Sequence, residues 1–140
     1  MKIFVSGQIA DVENVRQVQQ RFIDAGHTIT HDWTRNEADD RMLSDDADKL
    51  KDMVETSRRA RLDIQGVVDC DVYVICTDNE ISGKGMYVEL GAALALCTTN
   101  GSPRIYLIGK MNHMSVFYFH PLVTRVGNVE EAIELLDKPL

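Results

Sequence analysis

A chain of 140 residues, 44% hydrophobic and 26% charged, has the size and balance of one globular domain with a buried core. Its net charge of -7 and pI of about 5.0 work against duplex nucleic acid and anionic membranes as partners, since both are polyanions. A small anionic ligand stays open, because a local nest of amides can outweigh a global charge.

Ile3 to Val5 is a short apolar run ended by Ser6-Gly7, which predicts a buried strand. It is too short for the apolar region of a signal peptide, and no later stretch reaches the roughly eighteen apolar residues of a membrane span. The expected location is the cytoplasm. Asp11 is placed to cap a helix with Val12, Val15, Val18, Phe22 and Ile23 on one face and Gly26 at its C′ position. His27 to His31, with β-branched Thr28, Ile29 and Thr30, predicts a second strand.

Asp32 to Asp48 is polar and acidic, with Trp33 near its start, and reads as a long loop of the kind that serves as a lid or stays disordered. Leu50, Met53, Val54, Ala60, Ile64 and Val67 mark the inner face of a helix ending near Val67. Val72 to Ile75 is a third strand, followed by Thr77-Asp78-Asn79-Glu80 and the glycine-bearing Ser82-Gly83-Lys84-Gly85. A very apolar helix spans Met86 to Thr98 and is broken by Asn100-Gly101-Ser102-Pro103. Ile105 to Ile108 is a fourth strand and Leu122 to Val126 a fifth. Asn128 caps a last helix with Ala132, Ile133, Leu135 and Leu136 inward.

Strands alternating with helices give right-handed βαβ units and a parallel sheet covered on both faces. The expectation is an α/β, flavodoxin-like (Rossmann-like) domain over residues 1–140, with five strands in the order 2-1-3-4-5. Ligands on such sheets bind beyond the carboxyl ends of the strands, at the switch point between strands 1 and 3. Ser6, Gly7 and Gln8 line that crevice on one side and Thr77 to Gly85 on the other.

Cys70, Cys76 and Cys97 sit among apolar neighbours without a ligand pattern, which predicts buried free thiols in a reducing compartment. His27, His31, His113 and His120 lack metal spacing and read as structural or surface residues; the acidic run Asp39-Asp40 through Asp45-Asp46 reads as a solvated face. Neither Ser6-Gly7-Gln8-Ile9-Ala10-Asp11 nor Ser82-Gly83-Lys84-Gly85 matches a dinucleotide or Walker fingerprint. No metal or organic cofactor is expected. The second loop could hold an anion with its amides and Lys84, or be a plain tight turn. Trp33 could stack on a base at the crevice mouth or fold onto its own core.

Two charges are out of place. Glu89 is the only charged residue between Lys84 and Arg104 and shares a helical face with Met86, Leu90 and Ala93. A buried carboxylate costs several kcal/mol unless it has a partner or a purpose, roughly. Its place in the first turn of its helix puts it at the crevice, where the helix dipole would keep it ionised; the alternative is a carboxylate that only stabilises that helix. Asp63 lies among Ala60, Ile64 and Val67 and is expected to face inward too, unless it pairs with Arg59 or Arg61 at the core edge. Two inward carboxylates on the helices flanking strand 3 look like a general acid and a nucleophile, the pairing used in glycosyl transfer with retention.

Asp63-Ile64-Gln65-Gly66 leading to Asp71-Val72-Tyr73-Val74, then Gly85-Met86-Tyr87-Val88-Glu89-Leu90-Gly91, resembles the nucleoside 2-deoxyribosyltransferase family, which includes the 2′-deoxynucleoside 5′-monophosphate N-hydrolases. Lys2-Ile3-Phe4-Val5-Ser6-Gly7 is similar to its opening strand. The resemblance implies that Glu89 attacks C1′ and carries the 2-deoxyribosyl group covalently, and that Asp63 supplies a proton to the departing base. Another base or water then takes the sugar. It implies a nucleoside or nucleotide as ligand, and a homodimer or larger assembly with shared active sites, to which Asn112 to Phe119 could contribute. The chain departs from the family at Phe4, where a tyrosine usually orients the nucleophile. It departs again at Gly83, where the transferases carry an aspartate for the sugar 5′-hydroxyl and the nucleotide hydrolases a serine. Ser82 and Lys84 would suit a 5′-phosphate, whereas Ala10 replaces an arginine of the hydrolases. Two alternatives are an enzyme of the same fold acting on a ribonucleotide and a catalytically silent nucleotide-binding or sensing module.

Overall fold

In the computed structural model, residues 1–35, 46–78 and 85–138 are described. The strands are β1 (Lys2–Ser6), β2 (Thr28–Ile29), β3 (Val72–Cys76), β4 (Arg104–Ile108) and β5 (Val123–Val126). The helices are α1 (Val12–Asp24), α2 (Asp46–Lys51), α3 (Met53–Asp69), α4 (Gly85–Asn100) and α5 (Val129–Asp137). The strands form one parallel sheet in the order β2-β1-β3-β4-β5.

Strand period splits the core in two. Ile3, Val5, Val72, Val74, Tyr106 and Ile108 point to one face and meet Val15, Val18 and Phe22 of α1 and Ala132 and Leu136 of α5. Phe4, Tyr73, Ile75, Ile105 and Leu107 point to the other and meet Val67 of α3 and Met86, Leu90 and Ala93 of α4. β1 and β3 are buried almost throughout, as expected of central parallel strands.

Helix ends follow the sequence signals in part. Asn128 Oδ1 accepts from Glu131 N at 3.0 Å and Asp52 Oδ1 from Glu55 N at 3.1 Å, so both are side-chain caps. Gly26, with φ +93°, closes α1 in the left-handed region. Asp11 stands at the head of α1, but its carboxylate accepts the Asn14 side-chain amide at 3.0 Å and caps no backbone group.

Other expectations need correction. The second strand shrinks to Thr28–Ile29, because it lies at the sheet edge and pairs only with β1. Ile23 is exposed, and Cys97 is only half-buried, whereas Cys70 and Cys76 are buried. The helix expected from Leu50 is divided at Asp52, and of its expected inner face Leu50, Met53, Val54, Ala60 and Ile64 are exposed and only Val67 is buried. The half-buried flank of α3 instead carries Glu55, bound by Arg58 and Arg59 at 2.8 Å. Periodicity finds an apolar stripe without saying which side of it the sheet lies on.

Candidate active site

Ser6, Gly7 and Gln8 follow from β1 at its carboxyl end, and Ser6 and Gln8 are buried. Gly7 is required by packing: a Cβ there would lie 2.5 Å from Val15 Cγ2 of α1. Across the switch point stands Glu89, 8% exposed, in the second turn of α4. Ser6 Oγ donates to Glu89 Oε1 at 3.1 Å, which joins the end of β1 to α4 inside the core.

Burial disfavours the charged form and pushes the Glu89 carboxyl up to about 8; the Asp63 charge adds to this and the Ser6 hydrogen bond opposes it. This corrects the expectation that the helix end keeps Glu89 ionised. One full turn separates it from the first amides of α4, and the dipole falls off within that distance.

Asp63 reaches the site through a glycine. A Cβ on Gly66 would lie 2.7 Å from the Phe4 ring and 2.9 Å from His31 Cβ, so only glycine lets α3 lie this close to β1. One turn earlier, Asp63 Oδ1 faces His31 Nε2 at 3.3 Å, with the two side chains 33% and 24% exposed. Asp63 is therefore on the wall of the crevice rather than in the core, and it pairs with His31, not with Arg59 or Arg61. Thr30 Oγ1 donates to Gly66 O at 2.8 Å and fixes the same junction. His31 was expected to be structural or superficial; what sequence reasoning missed is that the segment after β2 passes under α3.

Trp33 is half-buried against both cores, and its indole N–H donates to Val5 O at 2.7 Å. Of the two readings the sequence left open, the structure has the ring on its own core, one residue before Ser6. Arg16 holds the same turn by donating to Thr34 O at 2.7 Å. Gly85 begins α4. Ser82, Gly83 and Lys84 lie outside the described residues, as does most of the acidic run from Asp39.

A second residue missed from sequence is Tyr73, fully buried on β3. It is the register partner of Phe4, with the rings stacked at 6.1 Å and 8°. Its hydroxyl donates to Met86 O at 3.2 Å. The signal was present in Val72-Tyr73-Val74-Ile75-Cys76, since a phenol inside an all-buried strand must find a polar partner.

Among the described residues no cluster of His, Cys, Asp and Glu could hold a metal ion, and no helix is long and apolar enough to cross a membrane. No protein-family model matches the chain, and no curated protein sequence does. Among solved structures it is similar to the CMP N-glycosidase BcmB of Clostridium botulinum, at 15% identity over 99% of this chain and 100% of that one, with a TM-score of 0.55. At that identity the likeness is one of fold.

Proposed function

We propose that this chain cleaves the N-glycosidic bond of a nucleoside or nucleoside 5′-monophosphate through a covalent glycosyl intermediate on Glu89. The observation that carries the reading is the buried Glu89 carboxylate at the carboxyl ends of β1 and β3, hydrogen-bonded by Ser6 and within reach of the Asp63 charge. The fold shared with a CMP N-glycosidase supports it.

Glu89 would attack C1′ from the face opposite the base. As the C1′–N bond breaks, its electron pair passes to the base nitrogen, and Asp63 gives the base a proton. The glycosyl ester on Glu89 is then displaced at C1′ by water, which returns a proton to Asp63, or by a second base. Two displacements give net retention. The family resemblance points to 2′-deoxyribose, whereas the structural neighbour is named for CMP, a ribonucleotide. Both sugars therefore belong in the assay.

The partner we infer is a second copy of this chain. Met114, Val116, Phe117 and Phe119 are exposed apolar residues. Phe117 and Ser115 border a hollow with Tyr87, Leu90 and Gly91, on the helix that carries Glu89.

The test is a panel of ribo- and deoxyribonucleosides and their monophosphates, with and without an acceptor base, followed by chromatography of free base. Release without acceptor makes it a hydrolase; exchange with acceptor makes it a transferase. The silent binding module is favoured by Phe4 and Gly83, which depart from the family pattern. If wild type and Glu89→Gln are equally inert while a nucleotide still binds, that alternative replaces the enzyme.

A further inference from the structure

We infer that Ser6 is a positioning residue for Glu89, whose hydroxyl holds carboxylate oxygen Oε1 and leaves Oε2 as the oxygen that faces the crevice and attacks C1′. The catalytic half of this rests on the proposed role of Glu89; the structural half does not.

Strand period puts Ser6 on the same side of the sheet as Phe4, the side that α4 covers. It ends a strand whose other core residues, Ile3, Phe4 and Val5, are all apolar, and it is 0% exposed. A hydroxyl buried there has to find a polar partner. Glu89, 83 positions along the chain, supplies it: Ser6 Oγ donates to Glu89 Oε1 at 3.1 Å. The backbone that carries this hydroxyl is fixed on every side. Ser6 pairs with β3 in register with Ile75, Gly7 after it packs against Val15 of α1, and Val5 O before it accepts the Trp33 indole.

Among the described residues Ser6 is the one hydrogen-bond partner of the Glu89 carboxylate, which leaves Oε2 without one. Oε2 is not one of the fully enclosed polar atoms that lack a partner, so it reaches the crevice, as the 8% exposure of Glu89 allows. The two oxygens are therefore unequal. A hydroxyl has one proton, and with Ser6 donating to Oε1 a protonated Glu89 carries its own proton on Oε2. After that proton leaves, the same oxygen presents an electron pair to C1′. As the new bond forms, the C1′–N pair passes to the base, which takes the Asp63 proton. Ser6 keeps its proton throughout. Its part is to fix one oxygen, and with it the plane of the carboxylate and the direction of the other. A hydrogen bond that ends on a charge is roughly twice as strong as a neutral one, so this bond also favours ionised Glu89. The other titratable groups around the carboxylate are Asp63 from α3, with His31 beyond it, and from β3 the Tyr73 phenol, which burial keeps neutral; α4 carries no second charge.

The experiment is carbon-13 NMR of protein labelled at the glutamate side-chain carboxyls, with the Glu89 signal identified by its loss in Glu89→Gln. Ser6→Ala removes the hydroxyl and little volume, and should raise the Glu89 midpoint by about half to one pH unit. Ser6→Cys, whose thiol is a weak donor, should fall between the two. In turnover at neutral pH, Ser6→Ala should lower kcat by at least the roughly three- to tenfold loss of ionised Glu89, with KM within about twofold, because Ser6 touches the carboxylate and not the substrate. Crystal structures should show one Glu89 oxygen on Ser6 in the wild type and the carboxylate turned in Ser6→Ala. A midpoint that Ser6→Ala leaves unmoved or lowers, a carboxylate that keeps its plane without the hydroxyl, or a loss confined to KM overturns the inference. A wild-type protein inert on every N-glycoside would sink the proposed reaction, and the titration and the two structures would still decide whether Ser6 holds Glu89.

Discussion

Replacing Glu89 by glutamine should stabilise this protein, and increasingly so as the pH rises. A carboxyl with an ordinary value of 4.5 that is pushed up to about 8 on folding is protonated in the native state while the unfolded chain has already ionised. The associated stability is fully present below the unfolded value and is lost as pH rises toward the folded one. The loss comes to about 1 kcal/mol at pH 5, about 3 at pH 7 and about 5 at pH 9. Glutamine keeps the shape and the acceptor for Ser6 but cannot ionise. Urea unfolding of wild type and Glu89→Gln at pH 5, 7 and 9 should therefore give two stability curves that diverge by about 4 kcal/mol across the range. Every other titrating group except the coupled Asp63 is common to both proteins and largely cancels. Curves that stay parallel to within about 1 kcal/mol would mean that Glu89 is not buried as the acid, and the account of its environment would be wrong.

Removing the neighbouring charge with Asp63→Asn should lower the Glu89 midpoint, and should slow base release most for bases that leave poorly without a proton; an unmoved midpoint would deny the coupling. Gly66→Ala places a methyl against the Phe4 ring and His31, and should cost about 1–3 kcal/mol in denaturant unfolding. A neutral result there would show that α3 can retreat from β1. Lys84→Ala should weaken nucleoside monophosphates far more than nucleosides in calorimetric titrations, whereas equal effects on both would remove the phosphate role given to that loop. Trp33 is the one tryptophan in the chain, so its emission should change when a nucleotide binds. Binding seen by calorimetry with no optical change would place Trp33 away from the ligand.

The sheet was legible because its strands are short, apolar and separated by turn residues. Val72 to Cys76 and Arg104 to Ile108 stand within a residue of where composition puts them, and the order follows from handedness. Glu89 was legible for a related reason, since a lone charge on an apolar helix is a conflict that only a partner or a function resolves. What local sequence could not supply is which residues meet across elements. His31 joins Asp63 because Gly66 lets α3 settle on Phe4, and Tyr73 stacks on Phe4 because of the β1–β3 register. The outward-facing Leu50, Met53 and Val54 misled for the opposite reason, since hydrophobicity alone cannot tell a core stripe from one left bare.

The raised carboxyl of Glu89 bears directly on the chemistry proposed for it. With its carboxyl pushed up to about 8, ionised Glu89 is the minor form of the free protein at neutral pH, which costs about 1 kcal/mol of readiness in a nucleophile. That is small beside the acceleration enzymes reach, roughly 8 kcal/mol or more. The Asp63 charge acts on Glu89, so the two carboxyls are best treated together. The proposed reaction needs one carboxylate to attack C1′ and one proton for the departing base. In the free protein burial favours the protonated form of Glu89. A base seated against the crevice wall, beside Asp63 and His31, would draw the proton outward as it accepts charge, and Glu89 would become the anion when C1′ is in reach. The burial that makes Glu89 a poor anion in the empty site thus also keeps its proton available to the partner that must deliver it.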